Sequence, residues 1–343
     1  MTPETRGLLA VSESLRFTEA EDRTRVLDLS SAARQAVSRG NMVSVTQPVC
    51  TDPVIVNQWH AVCATDEIRR SVVNQTLLLD EKIGFTVTSE GEHVAWRLSA
   101  AVPPNQAVDP AQIHEPLPIK VEYGFLWVCL GDPPEHLFAM PEFDDPDRRN
   151  MNAGTLTVAT SAPRAVENFL DLGHFPYVHD GLLGVEPFTE VVDYDVEVVD
   201  GEIFASKCDF YVPKVGMNFD EPVVARYRYR VPSPFCVMLY FDSALDPSRE
   251  DIVGVWVQPM TAELVRAHNY MGVLDETSTD NDIKSYQLEI FAQDKPILEN
   301  QHPKRLPLDP RAETPIRADK SAIAYRHLLS DLGVTYGVIP EGS

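Results

Sequence analysis

Glu167-Asn-Phe-Leu-Asp-Leu-Gly-His-Phe-Pro-Tyr-Val-His-Asp180 is the stretch on which the reading of this chain turns. Asn168, Asp171 and His174 recur every three residues, a spacing that predicts one face of a helix. Phe169, Leu170, Leu172, Phe175, Tyr177 and Val178 are interleaved with them and predict a buried setting. His174 and His179 are five apart with Pro176 between, so a straight helix would turn the second ring about 140° from the first. A proline kink would bring the imidazoles back toward a common point. Polar, proton-binding groups in an apolar helix cost several kcal/mol unless they gain partners, and a bound metal is one such partner. A lone buried histidine is ordinarily a satisfied core residue. Two, with an aspartate and an asparagine in the same apolar segment, fit a metal site better.

Two histidines and one carboxylate with open positions make the facial triad of non-haem Fe(II) oxygenases, so a carboxylate is expected on another apolar helical face. Asp282 to Gln301 supplies it. Ile283, Tyr286, Ile290, Phe291, Ile297 and Leu298 follow at helical spacing, and Asp294 falls on their stripe. Glu289 and Glu299 fall elsewhere and read as solvated.

Taken together, Asn-x-x-Asp-x-x-His-x-x-x-x-His and the later Phe-x-x-Asp-Lys-Pro-Ile-Leu-Glu-Asn-Gln resemble the catalytic domain of Rieske-type non-haem iron oxygenases. The likeness is closest to the branch of vanillate, dicamba and methylxanthine demethylases, and it covers roughly residues 55 to 335. The resemblance implies that His174, His179 and Asp294 are the iron ligands. It makes Asp171 the acidic bridge through which electrons reach the iron, and Asn168 a neighbouring position of the motif. It implies an α+β fold: a degenerate Rieske-like β domain over residues 46–140, then a helix-grip catalytic domain with an antiparallel sheet over 141–343. Residues 1–45, polar and charge-mixed with room for a short helix from Thr18 to Val37, read as a mobile N-terminal extension.

Composition narrows the function classes. The chain has 343 residues, 44% hydrophobic, enough for a core of one large or two ordinary domains. A net charge of -23 argues against nucleic acid and against an anionic membrane surface. No apolar run approaches a membrane span, and the start carries no cationic and apolar signal sequence. Five scattered cysteines do not suggest a secreted disulfide framework, so the cytoplasm is the expectation.

From Val54 the pattern becomes β, with Val54–Cys63, Leu77–Arg97 turning at Glu90-Gly91, and Gly124–Gly131 as strands. Here the chain departs from its relatives. A Rieske cluster needs two cysteines and two histidines, carried in the family as Cys-x-His and Cys-x-x-His, and neither pattern occurs. Cys50, His60 and Cys63 have the wrong spacing and lack a fourth ligand; Cys129 reads as core. Farther on, Glu190–Val199 and Gly201–Val212 flank a turn at Asp200-Gly201. Then come a run with Arg226, Arg228 and Arg230 on one face and Tyr227 and Tyr229 on the other, and strands over Phe235–Phe241, Asp251–Val257 and Arg266–Leu274. The arginine row reads as a solvated face, or as part of a docking surface for an acidic partner.

The implied function is an oxygenase component that activates O2 at one Fe(II). It would hydroxylate or oxidatively demethylate, at an N- or O-methyl, a small aromatic or heterocyclic compound. With no [2Fe-2S] cluster of its own, it would draw electrons from a partner carrying a Rieske or ferredoxin cluster and a reductase, within a homotrimer or hetero-oligomer. One methylxanthine demethylase component is arranged this way. Three rivals stand beside it. An inactive oxygenase-fold protein that binds a ligand or stabilises a partner is motivated by the missing cluster. A 2-oxoglutarate oxygenase would place His-x-Asp before a distant His, the reverse of the order here. A zinc hydrolase would carry His-Glu-x-x-His, which is absent.

Overall fold

Period-two runs in the second half of the chain pair into one seven-stranded antiparallel sheet. Its strands are β7 (Arg149–Val158), β8 (Asp195–Val199), β9 (Glu202–Val212), β10 (Val223–Ser233), β11 (Cys236–Asp242), β12 (Glu250–Thr261) and β13 (Leu264–Val273), in the order β7-β13-β12-β11-β10-β9-β8. The computed structural model describes residues 49–109, 113–214, 218 and 221–342, so the expected N-terminal extension lies outside the described residues. Asp200 and Gly201 both have positive φ and join β8 to β9 as a two-residue hairpin turn, as the sequence predicts.

Alternation divides the sheet's side chains into two faces. Tyr227, Tyr229, Leu239, Val253, Val255 and Met271 lie on one, against α2 (Ala162–Leu170), α4 (Asp280–Asn300) and α5 (Lys320–Leu332). Met238, Tyr240, Trp256 and Tyr270 lie on the other, packed on the N-terminal strands. The arginine row shares that second face but is not simply solvated. Arg228 pairs with Glu250 and lies over the Tyr240 ring, Arg230 pairs with Glu202 across the strands, and Arg226 alone is exposed.

The N-terminal strands form two three-stranded antiparallel sheets. One has β1 (His60–Ala64), β5 (Ile119–Glu122) and β6 (Phe125–Val128); the other has β2 (Asn74–Leu78), β3 (Glu81–Val87) and β4 (His93–Arg97). Two differences from the sequence reading have local causes. Val54–Val56 is not strand: Asp52 Oδ1 accepts from Val54 N (2.9 Å) and Ile55 N (3.1 Å), and Pro53 favours helical φ, so α1 (Pro53–Val56) is one helical turn. The run from Leu77 breaks at Leu79-Asp80, both at positive φ, because Pro259 and Met260 carbonyls take their N–H groups at 2.8 and 2.9 Å.

Residues 48–343 form one compact unit, and buried polar contacts join its sheets. Gln258, fully buried, donates to Thr76 Oγ1 (2.9 Å) and Leu77 O (2.6 Å) and meets His268 Nε2 (3.0 Å). Burial holds the His268 pKa down to about 3, so the ring is neutral. Asp52, 3% exposed, also accepts from Thr335 N (2.6 Å), Thr335 Oγ1 (3.0 Å) and Tyr336 N (2.9 Å), fastening the C-terminal segment to the first turn of the described chain. Replacing Asp52 with alanine strands those donors. The expected loss is roughly 3 kcal/mol of unfolding free energy, read as a lower urea midpoint at unchanged slope.

Candidate metal centre

Ser161 caps α2 through Arg164 N (3.4 Å), and Pro163 in its first turn loses no hydrogen bond. The predicted continuous, kinked helix does not form. α2 ends at Leu170, Asp171 is extended (φ -83, ψ 120), and Gly173 N donates to Asp171 Oδ1 at 2.7 Å. A separate turn, α3 (Phe175–Val178), then begins with Pro176 in its first turn, where proline is tolerated rather than kinking. His174 and His179 cap the two ends of α3, which returns both rings to one point. From the other side, α4 begins at a Thr279–Asp282 capping box. It buries Ile283, Tyr286, Gln287, Phe291, Asp294 and Leu298. Ile297, expected on that stripe, is 50% exposed. Glu299, expected to be solvated, accepts from Ala159 N at 3.1 Å.

Three ligand atoms converge. His174 Nε2 and His179 Nε2 are 3.1 Å apart, and Asp294 Oδ1 stands 3.3 and 3.2 Å from them. Bonds of about 2.1 Å to an octahedral ion put neighbouring ligand atoms about 3.0 Å apart, so this triangle has the size of one octahedral face. Asp294 Oδ1 is buried and receives no well-aligned hydrogen bond, as an atom aimed at a cation would be. Among the described residues no other group of three or more histidine, cysteine, aspartate or glutamate side chains converges this way.

The outer ring nitrogens are fixed as well. His174 Nδ1 meets Asp171 Oδ2 at 3.0 Å, and His179 Nδ1 meets Gln293 Oε1 at 2.8 Å. Both oxygens only accept, so each neutral ring keeps its proton on Nδ1 and turns the Nε2 lone pair to the centre. Burial opposes charge on His174, but the Asp171 and Asp294 carboxylates outweigh it and raise its pKa to about 9. Burial likewise opposes charge on Asp294, and the two imidazoles outweigh it, lowering its pKa to about 2. Without metal, a proton on His174 takes the place of positive charge.

An apolar chamber adjoins the triangle, walled by Phe169, Tyr229, Phe241, Val253 and Phe291. Gln287 faces it two helical turns before Asp294, about 10 Å along α4. Asn168 stands between the chamber and a surface bowl, and Asp171 reaches from His174 into that bowl. The structure therefore brings together all five residues singled out in the sequence. It adds partners that sequence reasoning missed. Gln293 gave no signal, because its role depends on where His179 lands, whereas Gln287 lay seven residues before Asp294 on the same stripe. A buried network also steadies α2: Arg164 pairs with Glu167 (2.9 Å) and Glu313 (2.6 Å), and Arg326 pairs with both acids. Ser321 Oγ donates to the Leu170 carbonyl at 3.0 Å, one residue before Asp171. Gln293→Leu would free the His179 ring and is expected to weaken divalent-metal binding about 10–100-fold, measured by competition with a chromophoric chelator.

Residues 158–334 match the family model of the vanillate O-demethylase oxygenase C-terminal domain. The chain is 42% identical over 285 residues to a probable methylxanthine N7-demethylase, NdmC, of Pseudomonas sp. (strain TJI-51), covering 82% of this chain and 96% of that protein. Its fold is similar to that of Pseudomonas putida CBB5 NdmA with caffeine (TM-score 0.64, 20% identity, 82% of this chain and 92% of that one). It is also similar to dicamba monooxygenase bound to 3,6-dichlorosalicylic acid (TM-score 0.63, 17% identity, 81% and 97%). The chain belongs to the vanillate O-demethylase oxygenase family, the demethylase branch of the Rieske-type non-haem iron oxygenases, and is an oxidoreductase.

Proposed function

We propose that this chain is the iron-bearing component of an N-demethylase acting on a methylated xanthine or a closely related heterocycle. The triangle of His174, His179 and Asp294 at the wall of an apolar chamber carries the reading. These three residues would hold Fe(II), which when bound supplies open positions where O2 is activated with electrons from outside the chain. The net change puts one oxygen atom on the methyl carbon and the other into water, using two electrons and two protons. The hydroxymethyl group then leaves its nitrogen as formaldehyde, and the nitrogen regains a proton.

The chain's own side chains do the rest. Phe169, Phe241 and Phe291 exclude water and offer flat apolar surface to a planar ring, and the Gln287 amide faces the same space. Asp171 pins His174 and opens on the bowl beside Glu167, Asn300 and Glu313. We assign that bowl to contact with the electron donor, a protein carrying a Rieske or ferredoxin cluster served by a reductase. Two cysteines and two histidines for a cluster are not found between Arg97 and Ile119, where the family's fingers would insert.

Protein purified without oxygen is expected to hold about one iron per chain and no acid-labile sulfide. Three irons with two sulfides would overturn the external-cluster reading, and no iron after reconstitution would favour a binding or scaffold role. The His174 pKa of about 9 sets a pH dependence, because metal must displace its proton. Apparent affinity should rise about tenfold per pH unit between 7 and 8.5 and level above 9, as followed by chelator competition. The proton's own stabilisation of the metal-free fold is complete below the free imidazole pKa of about 6.5 and lost as pH rises toward 9.

A further inference from the structure

The chamber carries a second polar group that the metal reading does not use. On the sheet face that bears the chamber, Tyr227 pairs in register with Phe241, and Phe241 with Asp251. Strands lie about 4.8 Å apart, so Asp251 stands two strands, about 10 Å, from Tyr227. The Tyr227 ring packs on Phe175, whose ring in turn contacts both His174 and His179. Asp251 and the metal centre therefore border one chamber, with the Tyr227 and Phe175 rings between them along its floor.

Val253, Met271, Val273 and Ile283 form the local apolar cluster, and Arg148 and Asp275 are the charged groups that act on the Asp251 carboxyl. Asp251 is 6% exposed, and its Oδ1 accepts from Leu274 N at 2.8 Å. Ser243, 1% exposed, faces the same carboxyl and lines the chamber, yet its Oγ has no well-aligned hydrogen bond among the described residues. A buried carboxylate and a buried hydroxyl without a well-aligned partner are costly where apolar side chains predominate. Together they offer one acceptor beside one donor, the complement of a lactam edge in which N–H neighbours C=O.

We propose that Asp251 and Ser243 form the specificity subsite that reads the free lactam edge of the substrate, an N-methylated heterocycle whose methyl faces the metal centre. Asp251 accepts from the ring N–H and Ser243 donates to the adjacent carbonyl oxygen. The inference rests on the N-demethylase reading above and adds which methylated heterocycles the chamber takes.

Binding to the iron-loaded full chain, without oxygen or reductant, tests it by titration calorimetry. The probes are 7-methylxanthine, which keeps lactam N–H groups, and caffeine, which has none. The wild type is expected to bind 7-methylxanthine at least about tenfold more tightly than caffeine. Asp251→Asn keeps an oxygen for Leu274 N–H but presents an NH2 where the acceptor was. It should abolish the preference while changing caffeine affinity less than about threefold. Ser243→Ala, which leaves the carboxyl in place, should weaken 7-methylxanthine alone, and it decides the matter should Asp251→Asn fail to fold. Equal wild-type affinities, or substitutions that act on both ligands alike, would overturn the subsite and leave the heterocycle reading standing. Binding of neither compound would overturn both.

Discussion

Three atoms that each present negative charge or a lone pair are held within 3.3 Å of one another in a wall where little water can reach them. Such convergence is unfavourable unless something positive lies between. That single constraint explains much of the local architecture. Asp171 and Gln293 turn the rings inward from behind, and the broken helix between Leu170 and Phe175 gives each ring its own approach.

Holding that geometry requires rigid supports on both sides. α4 is laid against β7 and the inner sheet face, and α2 is tied at its start by Arg164 and at its end by Ser321. In the quartet of Arg164, Glu167, Glu313 and Arg326 each charge faces opposite charges, so no ion is buried alone. The supports come from several separate stretches of chain, which is why the site is compact in space and dispersed in sequence.

Much of this was legible from residues alone, for definite reasons. Strands on a half-buried sheet leave an alternating pattern, and β9 to β13 could be read within a few residues. His174, His179 and Asp294 stood out because a polar group on an apolar stripe is anomalous whatever the fold around it. What stayed hidden depended on contacts between distant segments. Leu79 and Asp80 adopt positive φ because of carbonyls in β12. The histidine spacing suggested a kink, but Asp171 and Gly173 close a loop instead. Asp251 could be read only as the start of a strand, because its place two strands from Tyr227 on the chamber face depends on the pairing register.

The second sheet face bears on solubility. Trp256, Tyr240 and Tyr270 meet Trp59, Phe125 and Trp127 of the N-terminal strands across a shared core. Gln258 and His268 thread hydrogen bonds through the same seam. Were the N-terminal strands deleted, a broad aromatic surface would meet water, an invitation to aggregate. The N-terminal strands are thus no appendage to the seven-stranded sheet: they act as a retaining wall that keeps its second face dry.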